Sequence, residues 1–328
     1  MYSIADLQTI IAQALLQRDF PTEPGNLYDP IRYFLSIGGK RLRPVLTLLA
    51  TDLFGEKIEK SLSAALSIEV FHNFTLMHDD IMDEAPLRRG KDTVHKKWNT
   101  NTAILSGDAM MIMSYQLLSE SRTTDLSEVL RVFSKMALEV CEGQQLDMDF
   151  ENSSSVTEED YLYMIRLKTS VLLGAALEIG ALLGGANAKE RKLIYEFGVN
   201  MGIAFQLQDD LLDIYGDPKK FGKQIGGDII ENKKTFLLIN ALRLTKGKEE
   251  GKELEEWINI PPTNNYNVNE KIKAITSIYN KYGVKALAEQ KKSFFSNQAF
   301  QALQKIDVPT ARKQTLIDFT KGLFVRES

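Results

Sequence analysis

The chain has 328 residues, 44% hydrophobic and 26% charged, an ordinary globular composition that excludes a disordered, collagen-like or disulfide-stapled protein. Lys and Arg total 40 against 44 Asp and Glu, a net charge of −4, so no global basic field exists to draw nucleic acid. The single cysteine, Cys141, has no internal disulfide partner, fits a reducing compartment, and reads as a small buried hydrophobe rather than a nucleophile.

Residues 1–20 (MYSIADLQTIIAQALLQRDF) carry Asp6 and no basic stretch before the apolar residues. They read as an amphipathic helix rather than a signal peptide, and the protein as cytoplasmic. Pro86 is the one proline between Pro44 and Pro218, so long helices can run there without interruption. Apolar spacing agrees: Leu62, Ala65, Leu66, Val70 and Phe71 recur at three and four, as do Ile194, Phe197, Met201 and Phe205. Residues 171–188 approach the length of a membrane span, but Glu178 and the glycines at 174, 180, 184 and 185 make a buried helix the better reading, without stable membrane insertion. Breaks fall at 21–30, 84–92, 152–157, 217–227 and 257–269, none long enough for a domain linker. Alternating β-branched runs and Asn-Gly or Asp-Gly hairpin signals are missing. The expectation is an all-α protein, one large helical domain over residues 1–328.

Two segments share one carboxylate pattern: Asp79-Asp80-Ile81-Met82-Asp83 and Asp209-Asp210-Leu211-Leu212-Asp213. On a helix an i, i+4 pair lies about 40° apart, so Asp79 and Asp83 share a face, as do Asp209 and Asp213. Like charges at that spacing repel by a few tenths of a kcal/mol. Pro86 and Pro218 follow closely, which places both clusters in last helical turns, where the macrodipole also disfavours anions. A solvated acidic helix end is the bland reading of either copy alone. Repetition with apolar spacers favours a cation, and crowded oxygen ligands with incomplete protein coordination suit Mg²⁺ carrying a phosphate.

Positive residues accompany the clusters. Gly38-Gly39-Lys40-Arg41-Leu42-Arg43 sets cations after a glycine pair, Arg88-Arg89-Gly90 follows the first cluster, Lys168-Thr169-Ser170 precedes an apolar helix, and Lys223, Lys233 and Lys234 follow the second cluster. Any one could be a surface charge run; together they point to a phosphate-rich ligand. A phosphohydrolase using His72, His78-Asp79 and Asp209 is disfavoured by the close histidine spacing.

These residues, in this order over about 30–240, resemble the trans-isoprenyl diphosphate synthase family. The resemblance implies a bundle of antiparallel helices around a central cavity, a homodimer, and head-to-tail condensation of isopentenyl diphosphate with an allylic diphosphate. It implies Mg²⁺ (about three ions per site) on Asp79, Asp83, Asp209 and Asp213, with Asp80 and Asp210 in support. Isopentenyl diphosphate would be held by Lys40, Arg43, His72 and Arg89, and the allylic diphosphate by Arg88, Lys168, Thr169, Gln206, Lys223 and Lys233. The family loop G-x-D-L-x-x-G-K-x-T-L-P is here Gly226 to Leu237, with Asn232 and Leu237 departing from it. His78 and Asp108 read as supporting structure. A class I terpene cyclase is disfavoured by the intact second cluster and Lys40 to Arg43, and a non-catalytic partner subunit by the presence of both clusters.

Chain length in this family is set by bulky residues before the first cluster. Here Phe71, Phe74 and Thr75 are the candidates, and the resemblance implies a short product, geranylgeranyl diphosphate first and farnesyl diphosphate second. On a helical wheel Thr75 lies about 40° from Asp79, Phe71 about 80° and Phe74 about 140°, so geometry favours Phe71 where the resemblance points to Phe74.

Overall fold

The structure, a computed structural model, describes residues 2–121, 123, 125–153, 155–216, 225–260 and 266–324. The chain divides into two compact units. The first comprises Met1–Ser134, Ala175–Ile194 and Asp307–Leu316; the second comprises Lys135–Gly174, Tyr195–Ile306 and Ile317–Ser328.

The first unit begins with α1 (Ile4–Leu16), started by a capping box in which the Ser3 hydroxyl accepts from the Asp6 N–H and the Asp6 carboxylate accepts from the Ser3 N–H. Leu7, Ile11 and Leu15, spaced by four, are the face it buries. There follow α2 (Gly25–Ser36), α3 (Leu42–Leu53), α4 (Leu62–Met82), α5 (Val94–Lys97) and α6 (Thr100–Ser119). The break anticipated at 21–30 ends early: α2 starts at Gly25 and carries Pro30 inside it. α4 is buried on most of its circumference and packs along α6, with α3 on another side. The Ser67 hydroxyl donates to the Ser114 carbonyl at 2.7 Å, so a polar contact also ties α4 to α6. Between α4 and α5 lies a two-residue-per-strand hairpin, Leu87–Arg88 (β1) paired with Lys91–Asp92 (β2). Arg89 and Gly90 connect the strands with φ of 52° and 75°, the sign pattern of a type I′ turn.

α7 (Leu126–Asn152) and α9 (Val171–Leu183) each pass from one unit into the other. α9 takes up residues 171–183 of the apolar stretch 171–188, which breaks before α10 begins at Ala188, and α9 is buried almost throughout. A Cβ at Gly174 would lie 2.8 Å from Val199, and one at Gly180 would run into the Thr47 carbonyl, so the small residues allow neighbours to approach closely. No helix among the described residues is long and apolar enough to cross a membrane. Cys141 on α7 is exposed, not buried as its residue type suggested.

The second unit holds α8 (Glu158–Ile165), a π-helical turn at Arg166–Ser170, and α10 (Ala188–Tyr215), which enters it at Tyr195. Beyond these lie α11 (Gly227–Ile230), α12 (Phe236–Thr245), α13 (Glu249–Ile258), α14 (Val268–Lys281) and α15 (Val284–Gln304), and the unit takes the end of α16 (Thr310–Phe324). Its core joins Leu207, Leu211 and Ile214 of α10 to Phe236, Leu238 and Ile239 of α12 and Ile275, Ile278 and Tyr279 of α14.

Candidate active site

In the first unit the glycine pair sets the path of its loop. Gly38 and Gly39 have φ of 85° and 148°, and Arg41 is left-handed at 50°. A Cβ on Gly39 would lie 2.7 Å from the Arg89 guanidinium, so a glycine is needed for Arg89 to rest against this loop. Of the loop's cations, Arg41 is structural: it pairs with buried Glu69 and donates to the Leu35 carbonyl at 2.8 Å. Lys40 is exposed, its carbonyl accepting from Gln8 at 2.7 Å. Arg43 Nη1 lies 2.9 Å from His72 Nε2, and Arg43 Nε is buried without a hydrogen-bond partner. Burial pushes Arg43 down to about 10, with Arg89 adding to it and Glu69 opposing. Burial, then Arg43 and Arg89, hold His72 well below the usual histidine range. The ring is therefore neutral near pH 7, and its Nε2 accepts from Arg43. His72 orients a guanidinium and adds no charge.

The first carboxylate cluster ends α4. Asp79 is half-buried, and Asp83 is the exposed C-cap whose N–H donates to the Asp79 carbonyl at 2.8 Å. Asp80 points the other way and is 1% exposed. Arg88 donates from Nε to both its oxygens at 2.8 Å and from Nη2 at 2.7 Å. The β1–β2 hairpin thus brings Arg88 back onto the middle aspartate and presents Arg89 from its turn. His78 Nε2 lies 3.1 Å from the Ile104 carbonyl, and a Cβ at Gly107 would collide with its ring, so the Gly107-Asp108 pair makes room for a packed histidine. Upstream, Phe71 is fully buried between Phe74 and Phe133, while Phe74 meets the His78 ring edge-on at 4.8 Å. The Thr75 hydroxyl donates to the His72 carbonyl at 2.8 Å.

In the second unit, Asp209, Asp210 and Asp213 lie on the last two turns of α10. Here too the middle aspartate is withdrawn: Asp210 is 2% exposed, accepting from the Tyr161 hydroxyl and from Gln206 Nε2 at 3.3 Å. Burial pushes Asp210 up to about 6 against the opposing pull of those two donors. The π-turn re-aims Lys168 and Thr169, and Gly143 on α7 admits it, because a Cβ there would collide with the Lys168 backbone. Lys168 Nζ meets Asp147 Oδ2 at 2.5 Å. These groups line a cavity of about 210 Å³ with Asp209, Asp213, Asp228, Lys233 and Thr235. Asp228 donates its N–H to Asp213 at 3.0 Å, and burial, then Asp210 and Asp213, push its carboxyl up to about 7. Lys234 turns away and caps the end of α7, donating to the carbonyls of Phe150, Glu151 and Ser153. Lys223 and Pro218 lie outside the described residues.

The donor sets fit Mg²⁺. Each cluster offers hard carboxylate oxygens from its outer pair, Asp79 with Asp83 and Asp209 with Asp213, while its middle aspartate is occupied by protein donors. A cation that keeps waters and takes phosphate oxygens is the one such pairs suit. The polyprenyl synthetase family profile matches residues 24–308. The chain belongs to the polyprenyl synthetase family. As a member of it the chain is 47% identical over 238 residues to the geranylgeranyl pyrophosphate synthase of Geoglobus acetivorans, covering 72% of each. It is 38% identical over 280 residues to the geranylfarnesyl diphosphate synthase of Natronomonas pharaonis, covering 80% of each. A crystal structure of a geranylgeranyl pyrophosphate synthase superposes with a TM-score of 0.95 at 44% identity, each chain covered completely.

Sequence reasoning missed Asp147 and Tyr161, and gave no role to Asp228 and Thr235 although both lie in the Gly226 to Leu237 motif. Tyr161 stands seven residues before Lys168, a helical spacing that puts it near the face of a recognised position, whereas Asp147 has no recognised neighbour in sequence.

Proposed function

We propose that this polyprenyl synthetase is a short-chain trans-prenyltransferase. It condenses isopentenyl diphosphate head-to-tail with an allylic diphosphate, makes geranylgeranyl diphosphate and releases diphosphate. The observation that carries the reading is the repeated constellation: a D-D-x-x-D helix end whose middle carboxylate is bound by protein donors, beside cationic side chains. The outer carboxylates Asp79, Asp83, Asp209 and Asp213 would hold Mg²⁺, which would supply neutralisation of the charge on the departing diphosphate. In the first unit Lys40, Arg43 and Arg89 hold isopentenyl diphosphate, and the orphaned Arg43 Nε supplies a donor for it. Neutral His72 keeps Arg43 in place, and Asp80 does so for Arg88. In the second unit Lys168, Thr169 and Lys233 hold the allylic diphosphate, with Gln206 and Tyr161 fixing Asp210. Pre-set donors of this kind supply most of the available stabilisation of a leaving anion. Met164 and Ile165 on the cavity wall help exclude water from a reactive allylic carbon. Phe74, packed against buried Phe71 and against the His78 ring, is the residue we assign to limiting product length.

The protein works as a cytoplasmic homodimer in this reading; α6 supports the dimer with exposed Ile104, Leu105 and Ile112, spaced as one outward apolar stripe. The test is incubation with isopentenyl diphosphate, Mg²⁺ and, in turn, dimethylallyl, geranyl or farnesyl diphosphate, with products resolved by mass. Growth by isoprene units that stops at geranylgeranyl diphosphate supports the reading. Cyclic hydrocarbon, or no product from any starter, contradicts it.

A further inference from the structure

Lys271 on α14 has no exposed surface. Burying an ammonium is expensive unless it is paired or hydrogen-bonded. Its Nζ donates to Asn232 Oδ1 at 2.6 Å and reaches the Ile230 carbonyl at 3.4 Å, with the Tyr266 ring centroid 5.3 Å away. Each of these partners is neutral. A full charge is thus committed to the side-chain amide of one turn residue.

That residue is conformationally special. Asn232 sits at φ 55°, left-handed backbone that asparagine tolerates better than other side-chain-bearing residues. It follows the Glu231 C-cap of α11 and immediately precedes Lys233, whose N–H donates to the Asp228 carbonyl at 2.9 Å and whose carbonyl accepts from Thr235 at 2.8 Å. The front of the same loop is fixed by Asp213, whose carbonyl accepts from Gly226 at 2.7 Å and whose carboxylate accepts from Asp228 at 3.0 Å. α11 packs on α14, the helix that carries Lys271. The loop therefore has two anchors, Asp213 in front and Lys271 behind, and Lys233 stands between them on the cavity wall.

We propose that Lys271 is a positioning residue for prenyl transfer, holding the left-handed turn at Asn232 and through it aiming Lys233 at the allylic diphosphate. This rests on the assignment of Lys233 to that diphosphate made above. The test compares Lys271→Met, Asn232→Gly, their double variant and Lys233→Ala as a reference. Asn232→Gly keeps the backbone freedom and removes only the anchor, so it carries the test if Lys271→Met folds poorly. Initial rates are measured while each substrate is varied with the other and Mg²⁺ saturating.

Each single change is expected to raise KM for the allylic diphosphate about tenfold and to leave KM for isopentenyl diphosphate within about twofold, the scale of one lost hydrogen bond to a charged group. The double variant should be no worse than the worse single, because both remove the same contact. A Lys271 that is merely structural lowers Tm and leaves the allylic KM unchanged below the transition; that result, with Lys233→Ala raising the allylic KM, overturns the proposal alone. An allylic KM unmoved by Lys233→Ala overturns it together with the assignment beneath it.

Discussion

Replacing Tyr161 by Phe removes one hydroxyl and keeps the ring that fills the core of the second unit, so the loss isolates a single hydrogen bond. That hydroxyl donates to Asp210, which is 2% exposed and pushed up to about 6 from 3.8, chiefly by burial. With its folded value raised, Asp210 takes up a proton in the folded state before it does in the unfolded one. Its contribution to stability is therefore fully present below the unfolded value and is lost as pH rises through the window from 3.8 to about 6. The tyrosine offsets part of that loss by favouring the charged form. A hydrogen bond to a charged group is worth roughly 1.5–3 kcal/mol and a neutral one about 1 kcal/mol. Tyr161→Phe should thus lower the unfolding free energy by about 2 kcal/mol at pH 8, where the carboxylate is charged, and by about 1 kcal/mol at pH 5, where it is protonated in both folded proteins. Urea unfolding of both proteins at the two pH values in EDTA reads this directly. An equal loss at both, or a larger one at pH 5, would refute the reasoning.

Three further outcomes follow from the geometry. Asp79→Ala should lower turnover at saturating Mg²⁺ by at least about 100-fold while changing substrate KM far less, and unchanged kcat would sink the metal assignment. Phe74→Ala should shift products beyond geranylgeranyl diphosphate; a product distribution identical to that of the unmodified enzyme would remove Phe74 as the floor and leave Phe71 or Thr75. Glu128 accepts from Arg131 at 2.7 and 2.8 Å and from Arg191 at 3.0 Å, and those guanidiniums pull it down to about 2 from 4.5. Its stabilisation is present above pH 4.5 and lost as pH falls toward about 2. Glu128→Gln should therefore cost about 1 kcal/mol near pH 7, after solvent screening, and nothing near pH 2; thermal melts showing the same loss at both would contradict the pairing.

Helices and clusters were legible because they are local. The spacing of Leu62, Ala65, Leu66, Val70 and Phe71 and the aspartates placed near helix ends follow from one helical period, the scarcity of proline leaves the helices unbroken, and the structure agrees with them. The hairpin was not legible, because its turn is Arg89-Gly90 rather than Asn-Gly, and the left-handed arginine is held by contacts far away in sequence. Cation roles divided for the same reason. Nothing in Gly38 to Arg43 says that Arg41 meets buried Glu69 while Arg43 meets His72, and nothing in Lys233-Lys234 says that the second lysine caps α7. Lys271 gave no signal, and the spacing of Tyr161 from Lys168 does not reveal its bond to Asp210, since a buried polar group is defined by partners that the fold supplies. Cys141 misled through its residue type: it lies on an exposed face of α7.

The central claim is that the two carboxylate and cation constellations serve diphosphate release coupled to carbon–carbon bond formation. The most direct measurement counts inorganic diphosphate and inorganic phosphate separately against isoprene units added, with Mg²⁺ and with EDTA. One diphosphate per unit added, no phosphate, and no turnover in EDTA is the predicted result. Phosphate release without chain growth, or growth undiminished by EDTA, would contradict it.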